Sequence, residues 1–124
     1  MAKKNYQEIC DSISKISPYI RFVGVIGKSG ELLSYYRRPK MKPLLTKKTT
    51  HDQFSHISMK TDMEALFDKS LGEIQFVWEE RKKVQTISFA IKKLRVWISI
   101  DKKVVRTEVL RIIDACLPIV KLYS

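Results

Sequence analysis

The feature that most constrains this fold is a pair of apolar runs joined by a glycine-bounded turn, between Ile20 and Arg37. The first run is apolar on both strand faces, which is typical of a central strand covered on both sides. The turn Gly27–Gly30 supplies residues that tolerate positive φ. The pattern predicts a β-hairpin with arms Ile20–Gly27 and Glu31–Arg37, and it predicts that Phe22 is buried.

Apolar periodicity predicts the remaining elements. In chain order they are a helix over Lys4–Ser17, a helix over His51–Ser70, strands over Glu73–Glu80, Val84–Lys92 and Arg95–Asp101, and a helix that starts near Val104–Thr107. Thr49 or Thr50 is the expected cap of the middle helix, and Gly72 suits its end. In the last helix, Ile112 is expected to be buried, and Pro118 is expected to kink or end the helix.

The length of 124 residues indicates one domain, over 1–124, with a single core. The segment from Arg37 to Thr50 contains two prolines, six basic residues and no acidic residue. Such a segment has little to bury, so 37–50 is predicted to be a mobile basic loop.

The composition bounds the class of protein. The sequence has 24 Lys and Arg against 13 Asp and Glu, a net charge of +11, which favours an acidic partner or serves solubility. No run of 18 apolar residues and no signal-type start is present, so a soluble cytoplasmic protein is expected. Cys10 and Cys116 fall on helical apolar stripes, which indicates buried thiols in a reducing compartment.

No residue pattern predicts catalysis, a cofactor or a metal. Gly27-Lys28-Ser29 imitates the end of a phosphate-binding loop, but Phe22 stands where that motif needs a glycine, and a strand follows instead of a helix. His51, Asp52 and His56 are too few and have no cysteine near them in sequence, so a surface helix start is favoured over a metal site. The chain is therefore predicted not to be an enzyme.

The hairpin sequence FVGVIGKSGELLSYYR, with the element order, resembles the roadblock family and its profilin-like (longin-like) relatives. Gly24 and Gly30 match the family pattern, whereas Ser29 stands where an Asp is usual. The resemblance implies an α+β fold with a five-stranded antiparallel sheet in the order 2-1-5-4-3. It places the first and last helices on one face and the middle helix on the other.

The resemblance also implies a function. Roadblock-like proteins act as dimeric scaffolds or regulators of small GTPases, and they pair through the middle helix and the edge strand. Here these are His51–Ser70 and Glu73–Glu80. The expected dimer-interface residues are Phe54, Met59, Met63, Ile74, Phe76 and Trp78.

In that sheet order, three basic stretches meet at one end of the sheet and favour an acidic partner. They contain Arg37, Arg38, Lys40, Lys42, Lys47, Lys48, Arg81, Lys82, Lys83, Lys102, Lys103 and Arg106. Two alternatives to the GTPase-linked module stay open. One is a nucleic-acid-binding protein that uses this end, with Tyr35, Tyr36 or Trp97 stacking on bases. The other is a PAS-like domain that holds a small molecule between the sheet and the middle helix.

Overall fold

A computed structural model describes residues 6–123. The helices are α1 (Tyr6–Ser14), α2 (Lys47–Glu64), α3 (Asp68–Leu71) and α4 (Arg106–Lys121), with a 3₁₀ turn over Ala65–Phe67 between α2 and α3. The strands are β1 (Ile20–Ile26), β2 (Leu32–Arg37), β3 (Phe76–Glu80), β4 (Val84–Ile91) and β5 (Leu94–Asp101). Lys4 and Asn5 of the predicted first helix lie outside the described residues.

The five strands form one sheet in the order β2-β1-β5-β4-β3, and every neighbouring pair is antiparallel. This order confirms the predicted topology. The hairpin strand β1 lies between β2 and β5, and both sides of its backbone are therefore paired. β3 lies at one edge of the sheet.

The main core fills the space between the sheet and the helices α1 and α4. Alternate residues of β4 and β5 point to this side, and they meet the apolar stripes of the two helices. Ile112 is buried here, as predicted. The most enclosed side chains of this core include Ile13, Val23, Phe89, Ile98, Ile112 and Cys116.

A smaller cluster covers the opposite face of the sheet, beneath α2. It consists of Phe22, Ile26 and Phe54, with Ile57 and Trp97 packed against them. Phe22 is 6% exposed, which confirms its predicted burial. The helices thus lie on both faces, with α1 and α4 on one and α2 on the other.

The hairpin glycines are explained by close packing. A Cβ on Gly24 would lie 2.8 Å from a ring carbon of Phe22 and 2.9 Å from a methyl carbon of Leu32. Gly30 has a φ of +88°, and a Cβ there would meet the backbone of Ser55 in α2 at 3.0 Å. The hydroxyl of Ser58 donates to the carbonyl oxygen of Lys28. The β1–β2 turn therefore packs directly on α2.

The helix α2 begins earlier than the sequence predicted. Thr46, and not Thr49 or Thr50, is the cap: its Oγ1 accepts from the backbone N–H of Thr49 at 3.1 Å. Several threonines near the start can cap a helix, and the local sequence does not choose among them. The connecting loop therefore covers 38–46, not 37–50, because Arg37 belongs to β2 and Lys47 opens α2.

Two arginines tie this loop to β1. Arg21 donates from a guanidinium nitrogen to the carbonyl oxygen of Lys42 at 3.1 Å. Arg38 donates from Nε to the carbonyl oxygen of Ile20 at 2.9 Å. The mobility of the loop stays a prediction, now for residues 38–46, with Arg38 and Lys42 as its points of attachment to β1.

Two other element ends differ from the predictions. β3 starts at Phe76, so Ile74 precedes the strand. α4 continues through Pro118 to Lys121, so of the two expected effects, a kink or an end, this proline does not produce the end of the helix. Only the final turn lies beyond Pro118, and the N–H of Leu122 still reaches the carbonyl oxygen of Pro118 at 3.3 Å.

Both cysteines are free and buried, as the apolar stripes predicted. Burial, reinforced by the neighbouring Asp11 carboxylate, raises the pKa of the Cys10 thiol to about 11. Burial alone raises the pKa of the Cys116 thiol to about 12. Both therefore remain neutral thiols near pH 7.

Candidate interaction surface

The β3 edge has hydrogen-bond partners on one side only. β4 pairs with it, and no described strand pairs with its outer side. Phe76 is exposed on this edge, and Ile74 just before it is half-buried. Trp78 turns to the main core, where its Nε1 donates to Oε1 of Gln85 at 2.8 Å. The edge thus offers free backbone groups beside one exposed aromatic ring.

A stripe of large apolar side chains on α2 and the following 3₁₀ turn faces solvent. Met59, Met63, Leu66 and Phe67 recur at helical spacing on one face. Their exposed fractions are 64%, 65%, 79% and 59%. We refer to these four residues as the α2 stripe. Surfaces of this kind usually mark contacts with other molecules.

The burial of Phe54 corrects its assignment to the predicted interface. Its ring lies under α2 at 5.7 Å from the centroid of Trp97 and 6.3 Å from that of Phe22. It shares a helix with Met63, but it packs inward against the sheet. Trp97 belongs to the same cluster and packs beneath α2, where it is half-buried.

A buried arginine explains how α2 is held with its stripe turned outward. Arg95 of β5 donates from Nε to the hydroxyl of Thr61 at 2.8 Å and from Nη2 to Glu64 Oε2 at 3.0 Å. Lys60 lies 3.7 Å from Glu79 of β3 and adds an exposed ion pair. These polar ties lie on the sheet-facing side of α2. Local sequence patterns do not reveal the Arg95 contacts, because the partners are 31 and 34 residues apart.

The basic stretches lie at one end of the sheet, as the topology predicted. Strand registers align Arg37, Phe22, Ser99, Thr86 and Glu79 in one row across that end. A shallow depression there is lined by Arg81, Lys82, Lys102, Lys103 and Arg106, together with Glu80. Lys83 belongs to the same β3–β4 turn, Arg37 ends β2, and Arg38 follows it. Lys40 and Lys42 lie on the loop, and Lys47 and Lys48 lie in the first turn of α2.

Two of these cations are engaged within the chain. Arg106 forms two hydrogen bonds to the carboxylate of Glu80, at 2.9 and 2.8 Å. This contact lowers the pKa of Glu80 and raises that of Arg106. The Arg38 guanidinium donates a hydrogen bond to the backbone carbonyl oxygen of Ile20. The Glu80 carboxylate therefore offsets part of the positive charge at this end of the sheet.

A cavity of about 440 Å³ lies between α2, the loop and the same end of the sheet. It is the space in which the PAS-like alternative places a ligand. Its lining includes Phe22, Phe54 and Trp97 of the aromatic cluster.

The described residues contain no group of three or more potential metal ligands. His51, Asp52 and His56 are exposed on the first turns of α2. Within residues 6–123, no helix has the length and apolar content needed to cross a bilayer.

Comparison with known proteins identifies the fold through structure. No protein-family model and no curated protein matches the sequence. A Roadblock/LC7 domain from Streptomyces avermitilis superposes with a TM-score of 0.69 at 8% identity, over 96% of this chain and 94% of that chain. MglB from Myxococcus xanthus gives a TM-score of 0.66 at 17% identity, over 94% and 93%. Profilin from Schizosaccharomyces pombe gives 0.61 at 11% identity, over 92% and 94%. The chain therefore has the roadblock/profilin-like fold, as its hairpin and element order indicated.

Proposed function

We propose that this chain is a non-enzymatic interaction module that forms a homodimer and acts as a scaffold or regulator of a small GTPase in the cytoplasm. The observation that carries the proposal is the α2 stripe, a row of four exposed apolar side chains close in sequence to the unpaired β3 edge. Single exposed apolar residues are common, but a continuous helical row with a free strand edge is typical of a protein interface.

A second copy of the chain fits this surface. An edge strand pairs readily with another edge strand, and two copies of β3 related by a two-fold axis would extend the sheet across both subunits. The same axis brings the two α2 stripes together, which buries Met59 and Met63 in a self-complementary contact. Phe76 and Ile74 would then lie near the axis. Trp78 supports β3 from the core side.

The assignment of a GTPase partner rests on the roadblock resemblance of the fold. A solved structure of MglB, a structural neighbour, has a tetrameric arrangement, which supports self-association as a property of this kind of domain. The basic end supports an acidic partner, because clustered Lys and Arg raise the rate of encounter with a negatively charged surface. The two free, buried cysteines fit a reducing compartment.

Sedimentation equilibrium tests the dimer. At high micromolar concentration we expect a species of twice the chain mass of 14.5 kDa. Phe76→Lys and Leu66→Glu should each dissociate it, because like charges would meet near the two-fold axis. Leu110→Glu is the matched control, since Leu110 is an exposed apolar residue on α4, away from this surface. A monomer at all concentrations refutes the dimer. Dissociation by the control variant as well would assign association to another surface.

A pull-down from native lysate, with and without nuclease, tests the partner. We expect capture of a GTP-binding protein that survives nuclease treatment and is lost with Lys82→Glu/Lys83→Glu. Capture that nuclease abolishes, with affinity falling steeply as salt rises, would instead support the nucleic-acid alternative. The basic end of the sheet is the reason for testing the nucleic-acid alternative.

A further inference from the structure

The cavity beneath α2 has the size and shape of a small-molecule site. Its volume of about 440 Å³ falls within the range of roughly 300–1,000 Å³ in which ligand sites are found. The sheet forms the floor, the first turns of α2 form the roof, and Met41, Pro43, Leu44 and Leu45 of the loop form one wall. Three separate parts of the chain thus enclose one space.

The interior of the cavity is apolar and aromatic. Phe22, Phe54 and Trp97 line it, with ring centroids 5.7–6.3 Å apart. Val84 and the loop residues Leu44 and Leu45 add aliphatic surface. Leu44 and Leu45 are exposed despite their apolar side chains. A ligand body that covers them would bury apolar surface that the free chain leaves in water.

Positive charge surrounds this apolar space. Arg21, Arg37 and Arg81 line the cavity, and Asp52 is the one acidic residue among its described lining residues. The Arg37 guanidinium carbon lies 5.5 Å from the centroid of the Phe22 ring, so a cation is held directly above the aromatic floor. Arg21 is also the residue that ties the loop wall through the carbonyl oxygen of Lys42.

A second, smaller cavity of about 70 Å³ adjoins this one, and both are lined by Gln53, Arg81 and Trp97. Arg95 lines the smaller cavity, and its Nη1 is the one buried side-chain polar atom without a hydrogen-bond partner among the described residues. Its guanidinium is already paired with Glu64. The charge of Arg95 is therefore neutralised by Glu64, whereas Arg37 and Arg81 have no ion-pair partner among the described residues.

We propose that this cavity binds a small amphipathic organic anion, such as a fatty or aryl carboxylate. The carboxylate lies against the guanidinium group of Arg37 or Arg81, because one arginine can make two parallel hydrogen bonds to a carboxylate. The apolar body lies on Phe22, Phe54 and Trp97 beneath the loop. A neutral amphiphile leaves the arginines unused, and a cationic one meets them with like charge. The site is independent of the proposed dimer surface, because the α2 stripe faces away from it.

Three ligands with one apolar body and different head groups test the proposal: octanoate, 1-octanol and octylammonium. In an NMR titration at millimolar concentration, octanoate should shift the indole N–H resonance of Trp97. Trp78 is an internal control, because it packs on the other face of the sheet and its resonance should stay in place. Octanoate should bind about 10-fold or more tightly than octanol, and octylammonium more weakly than either.

Two charge-matched double variants test the arginines. Arg37→Gln/Arg81→Gln should weaken octanoate binding about 10-fold or more and leave octanol binding unchanged. Lys82→Gln/Lys83→Gln removes the same net charge from residues that do not line the cavity, and it should leave both affinities unchanged. Of the four substituted side chains, only Arg37 contacts the aromatic cluster. Thermal unfolding checks that each variant is folded. The proposal is overturned if octanoate leaves Trp97 unmoved, if octanol binds as tightly, or if both double variants weaken octanoate equally.

Discussion

Replacing Phe22 by alanine tests the packing between the sheet and α2. The Phe22 ring is stacked on Tyr35 at a centroid distance of 5.9 Å and lies 6.3 Å from Phe54 and 5.9 Å from Trp97. The Arg37 guanidinium lies above it. The substitution removes the centre of this cluster while leaving the main core on the other face intact.

The expected loss of unfolding free energy is set by two opposing features. Phe→Ala in a closed core costs about 3–5 kcal/mol through lost transfer energy and the remaining void, and aromatic pairs add to that figure. Phe22 also borders the 440 Å³ cavity, so the void merges with existing space and no fully enclosed hole is left. We therefore expect a loss of about 3 kcal/mol, a large part of the roughly 5–15 kcal/mol that holds a domain folded.

Urea unfolding, followed by tryptophan fluorescence and circular dichroism, measures this loss. A loss of about 3 kcal/mol lowers the midpoint by roughly 1–3 M at an unchanged slope, for slopes of about 1–3 kcal/mol per M. Tyr19→Ala is the control, since Tyr19 is an aromatic residue that is 46% exposed and its substitution should stay within about 0.5 kcal/mol. Equal midpoints for the two variants would show that Phe22 does not pack under α2 and would refute the reasoning.

Three further predictions follow from burial, loop geometry and close packing. Iodoacetamide should leave Cys10 and Cys116 unmodified in the folded protein at pH 8 and label both in urea. The pKa values of these thiols in the folded protein, about 11 and 12, lie above the ordinary thiol value of 9.0. Unfolding at higher pH therefore releases thiol protons, and the free energy of unfolding should fall from about pH 9 upward. A flat profile of stability against pH in that range would contradict the burial of the two thiols. Trypsin should cut the folded protein first within 38–46, after Lys40, because Arg38 and Lys42 precede prolines; sparing of this segment while other sites are cut would show that it is packed. Gly24→Ala should destabilise the protein by about 1–3 kcal/mol through overpacking against Phe22, and an unchanged urea midpoint would show that the hairpin tolerates a Cβ there.

The candidate surface could be predicted only in part. Helical spacing places Phe54 and Met63 within one apolar pattern, and the roadblock resemblance, which implies pairing through the middle helix, assigned both to the interface. The sheet-facing side of α2 carries Phe54, Thr61 and Glu64, whereas Met63 lies on the opposite side, so Phe54 is buried and Met63 is left in solvent. The local sequence does not show which side of a helix a distant sheet will cover. The pairing of Arg95 with Glu64 and that of Arg106 with Glu80 were missed for the same reason.

The sequence by itself determined the elements and the faces they bury. Alternation in β4 and β5, the positive-φ glycine at the hairpin turn and the apolar stripes of α1 and α4 are local signals, because they follow from the period of each element. The sheet order was predicted from the family resemblance. It is confirmed only by the pairing of the strands in the structure. The tertiary structure alone decided which threonine caps α2, which side of α2 stays exposed, and that arginines from β1, β2 and the β3–β4 turn surround one apolar cavity. These features depend on contacts between residues far apart in the chain. Such contacts stabilise the protein only after the whole sheet has formed.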